Sequence, residues 1–419
     1  MVPLRRNPHR CKLGCTVAAM KRIFVCFILC FLFGDLKFAW PQQKKVTSEV
    51  EIPIVAWHSV PQEETSLERY QELKDAGVTY SLTEFSNADQ LAKALDIASQ
   101  VGIKIIAACP ELKSNTAKTV ERFMHYPALA GYFLGDEPNT NAFSQLAVLA
   151  KTIHSVDNEH FRYVNLFPSY ASAEQLGTPT YHEYVTTFEK EVPLEFLSFD
   201  YYPIAGNTLR QEWYENLEII SDAARTDSKA FWAFALATPH AFYPTPTLAH
   251  LRLQVFNNLA YGAQGIQYFT YWTPPEDKSF GDGPITRDGR RTDIYDLVKE
   301  VNSEIKNLSG IFFDAKVIAI TRTGAKIPRS TKRLDMLPSP VKSFSTNGEA
   351  VVSFLQKGNS TSLVVVNQDY KQPIQVNIEF ESDVMRVLKD GSLVPVKHDK
   401  KDALIEDPGD VMIWTWTRH

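Results

Sequence analysis

The chemistry this sequence can offer rests on four carboxylates and a set of aromatic side chains. Asp136 and Glu137 stand side by side in Gly135-Asp136-Glu137-Pro138. Asp200 opens Asp200-Tyr201-Tyr202-Pro203, and Glu84 lies between Thr83 and Phe85. Each follows a short apolar run. A carboxyl can give a proton, take one, or attack an electrophilic carbon, and two of them flanking one bond can cleave an acetal. Glu137, Asp200 and Glu84 are therefore the candidate catalytic residues. Adjacent carboxylates facing one pocket raise each other's pKa, which suits a proton donor. Neighbours on an extended strand point to opposite sides, however, so Asp136 is expected to orient Glu137 or to accept a hydroxyl. Trp57, His58, Asn165, Tyr201, Tyr202, His240, Tyr271 and Trp272 close other apolar runs. Flat rings stack on the C–H faces of sugars and their polar tips bond hydroxyls, so these residues, with Asp136, are the candidate binding residues. Each has a plainer role open to it: a rim ion pair for Glu137, a turn cap for Asp200, a helix N-terminal charge for Glu84, a structural contact for either histidine.

Beyond residue 40 there is no HxH, HExxH or CxxC and no Gly-rich phosphate cradle, so neither a metal nor a cofactor is expected. Cys109 is the single cysteine there, which leaves no intrachain disulfide, and its place at the end of an apolar run predicts a buried thiol. The net charge of −5 argues against nucleic acid or an anionic membrane as partner. Residues 1–40 read as a secretory signal. Lys21-Arg22 precedes an apolar run from Ile23 to Gly34 that is too short to span a bilayer, Met20 is the expected true start, and cleavage is expected near Ala39 or Trp40. An uncleaved anchor is the alternative. Export to the periplasm or the exterior follows, with no membrane contact beyond export. Oligomeric state is not legible.

These residues need elements to hold them. Eight apolar runs recur between residues 52 and 271: Ile52–Trp57, Val78–Leu82, Ile103–Cys109, Leu129–Leu134, Phe161–Phe167, Phe196–Phe199, Ala230–Leu236 and Gly265–Tyr271. Segments of helical period separate them, among them Ala88–Val101 behind the N-cap Asn87. Eight βα units predict an α/β fold, a (β/α)8 TIM barrel over 41–312, with its site at the C-terminal strand ends. A doubly wound sheet is the alternative, but no GxGxxG follows the first run. From 313 to 419 helical period is absent. Val351–Leu355, Ser362–Val366, Ile374–Ile378, Val384–Val387 and Val411–Trp416, parted by turn signals, predict a small antiparallel β-sandwich.

Gly135-Asp136-Glu137-Pro138 at the fourth strand end resembles clan A glycoside hydrolases. The stretch Ala130–Asn139 is similar to distant relatives of the family 42 β-galactosidases. Gly262–Trp272, Asp288-Gly289-Arg290 with Tyr295 and Asn302, and Gly409-Asp410 resemble the last barrel strand, the segment after it and the trailing sandwich of that group. The resemblance implies hydrolysis of an oligo- or polysaccharide with Glu137 as general acid/base. The clan's nucleophile is a glutamate at the end of strand 7, where this chain reads Phe231-Trp232-Ala233-Phe234-Ala235-Leu236-Ala237-Thr238. The second carboxylate then comes from another strand end, Asp200 or Glu84, or the scaffold binds carbohydrate without cleaving it.

Overall fold

The computed structural model describes residues 45–46, 51–275, 277–398 and 400–417; the expected export segment lies outside them. Eight parallel strands form the first layer: β1 (Ile54–Trp57), β2 (Tyr80–Leu82), β3 (Lys104–Ala107), β4 (Leu129–Asp136), β5 (Phe161–Asn165), β6 (Phe196–Phe199), β7 (Ala230–Leu236) and β8 (Gly265–Phe269). Their order is β5-β4-β3-β2-β1-β8-β7-β6. A parallel bridge between Leu166 and Phe199 closes the ring from β5 to β6. The strands are apolar on both faces because both faces are covered. Val55, Tyr163, Phe196, Trp232 and Phe234 fill the interior, while Ile54, Ala56, Leu197, Ala233 and Ile266 meet the helices outside.

Eight helices form the outer ring: α1 (Leu67–Asp75), α2 (Ala88–Val101), α3 (Thr116–Phe123), α4 (Phe143–Val156), α5 (Tyr181–Glu191), α6 (Glu212–Thr226), α7 (Leu248–Ala260) and α8 (Asp293–Phe312). Side chains of Ser66, Asn87, Thr180, Thr247 and Thr292 accept backbone N–H groups at the starts of α1, α2, α5, α7 and α8, satisfying donors that have no partner in the first turn. α8 is stitched to α1 by Tyr295 Oη donating to Glu72 O (2.7 Å) and Asn302 Nδ2 donating to Ala76 O (2.8 Å). Asp288-Gly289-Arg290 forms a tight turn with Gly289 at φ +80°, where a Cβ would meet the Arg69 guanidinium. Those parts of the resemblance therefore hold up the scaffold.

Among the described residues the C-terminal region has nine strands: β9 (Lys316–Arg322), β10 (Val341–Thr346), β11 (Ala350–Lys357), β12 (Ser360–Asn367), β13 (Ile374–Phe380), β14 (Val384–Val387), β15 (Leu393–Val396), β16 (Asp402–Glu406) and β17 (Val411–Thr417). They make a six-stranded sheet, β9-β11-β12-β17-β14-β15, and a three-stranded one, β10-β13-β16, both antiparallel. Val352, Phe354, Leu363, Val365 and Trp414 pack between the sheets, whereas Val351, Leu355, Val364, Val366 and Ile413 turn the opposite way and join the barrel's core. α7 lies between barrel and sheet, and everything from Leu253 to Ala260 is buried. Ser353 Oγ donates to Ala260 O (2.7 Å) across this seam. Gly409 passes so close to Ala249 that a Cβ would stand 2.3 Å from its carbonyl oxygen. Four of the nine strands, β9, β10, β15 and β16, escape sequence reading because their edge positions leave half-exposed, mixed residue patterns.

Candidate active site

β4 decides the site. Its register against β5 shifts between Phe133 and Gly135, and the strand runs extended to Asp136. Glu137 then takes a left-handed conformation (φ +42°), and its N–H donates to Asn165 O (2.8 Å). Tyr184 Oη donates to Pro138 O (2.8 Å) and holds the turn from outside. Strand alternation ends at that turn, so Asp136 and Glu137 both reach the barrel mouth; the opposite-sides expectation fails because Glu137 is no longer on a strand.

Asp200 comes from the end of β6 and is 7% exposed. Its carboxyl is hydrogen-bonded to that of Glu137. Asn165, from β5 and 3% exposed, braces the cluster: its Nδ2 donates to Asp136 Oδ1 (3.1 Å) and to Asp200 Oδ1 (3.0 Å). Behind it runs a buried polar chain. Ser198 Oγ donates to Asn165 Oδ1 (3.0 Å), Gln267 Nε2 donates to Ser198 Oγ (2.8 Å), and Tyr163 Oη donates to Gln267 Oε1 (2.6 Å). A buried amide must satisfy its donors and acceptors, and this chain fixes which way Asn165 faces.

Burial and mutual repulsion set the charges. Glu137 is pushed up to about 7, first by burial, then by the Asp136 charge, with the Asp200 hydrogen bond acting in opposition. Asp200 is raised well above the carboxylate range by burial and by both neighbours. Asp136 is raised as well, first by burial and then by the Glu84 charge, with the Asn165 hydrogen bond acting in opposition. Near neutral pH the cluster thus holds a proton, shared across the Asp200–Glu137 hydrogen bond and kept more firmly by the buried Asp200.

The remaining expected residues divide. Tyr202 faces the interior between Phe234, Tyr243 and Phe269 and feels all three carboxylates. His58 is exposed at the mouth at φ +45°; crowding by protein lowers its pKa, and the nearby Glu84 charge opposes that. Glu84 is exposed and acts on Asp136. His240 stacks on Phe280 (4.6 Å) beside Tyr243, and Nδ1 lies 3.1 Å from Thr238 O. Trp57 is an interior filler, edge-on to Phe133, Tyr163 and Phe234. Three are placed away from the carboxylates. Tyr201 alternates outward between its inward neighbours and abuts Tyr170. Tyr271 and Trp272 follow the end of β8 into the helix layer, where Tyr271 meets Tyr295 and Trp272 lies under Arg69 (5.2 Å). Cys109 is half-buried, not fully so, and its thiol is pushed up to about 11, mainly by burial.

Sequence reasoning passed over Ser198 and Gln267. Their signal was a polar residue at an inward position of an otherwise apolar strand. It also passed over Tyr170 and Phe242, 50% and 57% exposed, which flank Arg210; of these Tyr170 is near enough to feel the Asp200 and Glu137 charges. Arg210, Tyr170, Tyr181, Tyr201 and Tyr243 line an open cavity of about 710 Å³. Among the described residues no cluster of three or more His, Cys, Asp or Glu is arranged to hold a metal ion, and no helix is long and apolar enough to cross a membrane.

No protein-family model matches the chain, and no curated protein matches it. Solved structures do. A glycoside hydrolase family 5 protein from Bacteroides vulgatus ATCC 8482 aligns at 13% identity over 90% of this chain and 93% of its own, with a TM-score of 0.54. An α-amylase from Geobacillus thermoleovorans, complexed with acarbose, aligns at 11% identity over 88% of this chain and 98% of its own (TM-score 0.52). An α-amylase from Anoxybacillus has the same identity and coverage at a TM-score of 0.51. At such identities the likeness is one of fold: this chain is an eight-stranded parallel barrel with a C-terminal β-rich region, a fold it shares with solved glycoside hydrolases.

Proposed function

We propose that the chain hydrolyses a glycosidic bond, with Glu137 giving its proton to the leaving oxygen. One observation carries this reading: three carboxyls from the ends of β4 and β6 converge at the barrel mouth, joined through Asn165, and burial with mutual repulsion keeps one protonated near neutral pH. Asp136 and Asp200, held by Asn165, lie where positive charge develops on the anomeric carbon. Tyr202, His58 and the exposed Tyr170 and Phe242 supply faces and polar tips for a saccharide. The fold shared with glycoside hydrolases supports the reading by analogy. The family 42 likeness and export belong to the same proposal and rest on Gly135–Pro138 and on Lys21-Arg22 with the apolar run behind it.

The end of β7, Leu236-Ala237-Thr238, has no carboxylate and favours a second reading, a carbohydrate-binding protein on a hydrolase scaffold. One experiment separates the two. The chain from residue 41 is offered a panel of aryl glycosides beside Glu137→Gln, and glycan binding is measured for both. A hydrolase releases aglycone, and the variant loses about 10²- to 10⁴-fold in kcat/KM while still binding. Binding by both proteins without release by either supports the second reading.

A further inference from the structure

Arg210 differs from the other arginines that brace the barrel. Arg69, Arg162, Arg252 and Arg291 each meet a glutamate. Arg210 is half-buried and makes no ion pair among the described residues. Its guanidinium lies against the rings of Tyr170 (5.3 Å), Phe242 (5.2 Å) and Tyr243 (5.6 Å), and its one side-chain hydrogen bond runs from Nη1 to Tyr243 Oη (3.3 Å). A guanidinium has five N–H donors in a fixed fork, so most of this fork has no protein partner. The loop after β6 sets its place. Asp200 opens that loop, a hairpin of Ile204–Ala205 against Thr208–Leu209 follows, and Arg210 closes it with its N–H donating to Pro203 O (2.8 Å). Gly206 N–H donates to Phe242 O (2.8 Å) and ties the hairpin to the loop after β7. Two ring contacts lead back to the carboxylates. Tyr170 abuts Tyr201 (5.0 Å), the residue after Asp200, and Tyr243 meets Tyr202 (5.7 Å), the one after that. Arg210, Tyr170, Phe242 and Tyr201 all line the open cavity of about 710 Å³. Of the acidic residues on its wall, Glu215 faces Arg329 (3.9 Å) and accepts from Ser330 Oγ (3.2 Å), and Glu212 is exposed.

We infer that this cavity takes a uronic acid residue of an anionic saccharide: the Arg210 fork binds the hexuronate carboxylate, and the exposed Tyr170 and Phe242 rings cover the apolar faces of the sugar. This inference rests on the hydrolase reading and names its substrate class. A carboxylate is planar and matches the planar guanidinium in a bidentate pair, whereas a hydroxyl leaves the cation without a counter-charge. The rings hold the fork in one orientation and exclude part of its water, which strengthens its pull on an anion. The carboxyls at the barrel mouth repel an anionic sugar. A nearby cation that pairs with none of them offsets that repulsion for the substrate. An arginine that only props the hairpin through its rings would give the same packing with no preference for charged over neutral sugars.

The test is calorimetric titration of the chain from residue 41 carrying Glu137→Gln, which removes turnover. The probes are oligosaccharides of glucuronate, galacturonate and mannuronate, and the same oligosaccharides with each carboxyl reduced to the primary alcohol. Expected is binding of at least one uronate series about 10- to 100-fold tighter than its reduced partner. The preference should vanish in Arg210→Met, persist in part in Arg210→Lys, and shrink with added salt. The comparison of charged with reduced sugars needs no change at Arg210, so it decides even where Arg210→Met fails to fold. Equal affinity for the two series, no binding of either, or a preference that survives Arg210→Met overturns the inference. Tighter binding of O-sulfated neutral oligosaccharides overturns the choice of a carboxylate. The unsubstituted chain is then given the uronate that binds, and new reducing ends are measured. Their release supports both readings. Arg210-dependent binding with no release overturns the hydrolase reading alone, and hydrolysis of neutral glycosides without uronate binding overturns this inference alone.

Discussion

On the proposed hydrolase reading, Glu137 acts only while it holds its proton. Its folded pKa lies near 7, so kcat/KM is expected to fall as pH rises through about 7, and the descending limb reports the free protein's acid. A profile flat from pH 5 to 9 on the best aryl glycoside would remove Glu137 from that role. Asn165 acts through its neighbours. Asn165→Ala leaves Ser198, Asp136 and Asp200 each short of a partner, at a cost of about 1–3 kcal/mol of stability measurable by urea unfolding. It also removes the hydrogen bonds that favour the ionised aspartates, so both rise further. The same measurement on Asn165→Asp, which keeps the shape and adds a fourth carboxyl, should show a larger loss at pH 8 than at pH 5.

At the scale of elements, the turn after β4 stores strain for the sake of the site. A non-glycine residue in the left-handed region costs about 1–2 kcal/mol, and Glu137 sits there at φ +42°. Glu137→Gly is therefore expected to abolish turnover while raising stability by about 1 kcal/mol, read from paired denaturation curves. An unchanged or lower stability would mean that the cluster's contacts outweigh the strain. Within β4 itself, Gly131 faces the Phe161 backbone, and a Cβ would lie 2.4 Å from its carbonyl oxygen. Since β5 cannot retreat without losing Asn165, Gly131→Ala should cost several kcal/mol or fail to fold, and far-UV circular dichroism of the purified variant settles which.

The whole molecule carries a pH signature of its own. Glu137 and Glu189 are each raised to about 7, chiefly by burial, and Asp200 and Glu406 are raised further. A carboxyl with a raised folded pKa binds more protons folded than unfolded between its two pKa values, so stability falls as pH rises across that window. The melting temperature should therefore decline between about pH 4.5 and 7, and Glu137→Gln should make the decline shallower. The barrel and sandwich also stand or fall together. α7 is buried on the barrel side and on the sheet side, and Arg252, leaving that helix, bridges Glu304 (3.0 Å) and Asp410 (3.6 Å). A chain ending at Phe312 exposes the Leu253–Ala260 surface and is expected to aggregate; a soluble, monomeric truncation with the native melting temperature would contradict this.

The sequence by itself determined the barrel. A parallel strand covered on both faces must be apolar throughout, so eight uninterrupted runs at βα spacing leave little else to build, and every one of them forms a strand. It also placed Asp136, Glu137, Asn165, Asp200 and Tyr202 at strand ends, because chemistry-bearing residues stand out where apolar runs stop. Only the tertiary structure decided which of them meet. Side chains alternate with a period of two, so Asp200 and Tyr202 turn inward while Tyr201 turns out, and a bulge with one left-handed residue brings Asp136 and Glu137 to the same side. Tyr271 and Trp272 lie past the last residue of β8, where alternation no longer fixes direction, and the chain carries them into the helix layer. The hydrogen-bond chain from Tyr163 to Asn165 joins β5, β6 and β8, residues up to 104 positions apart, and closure of the ring is what brings them within bonding distance.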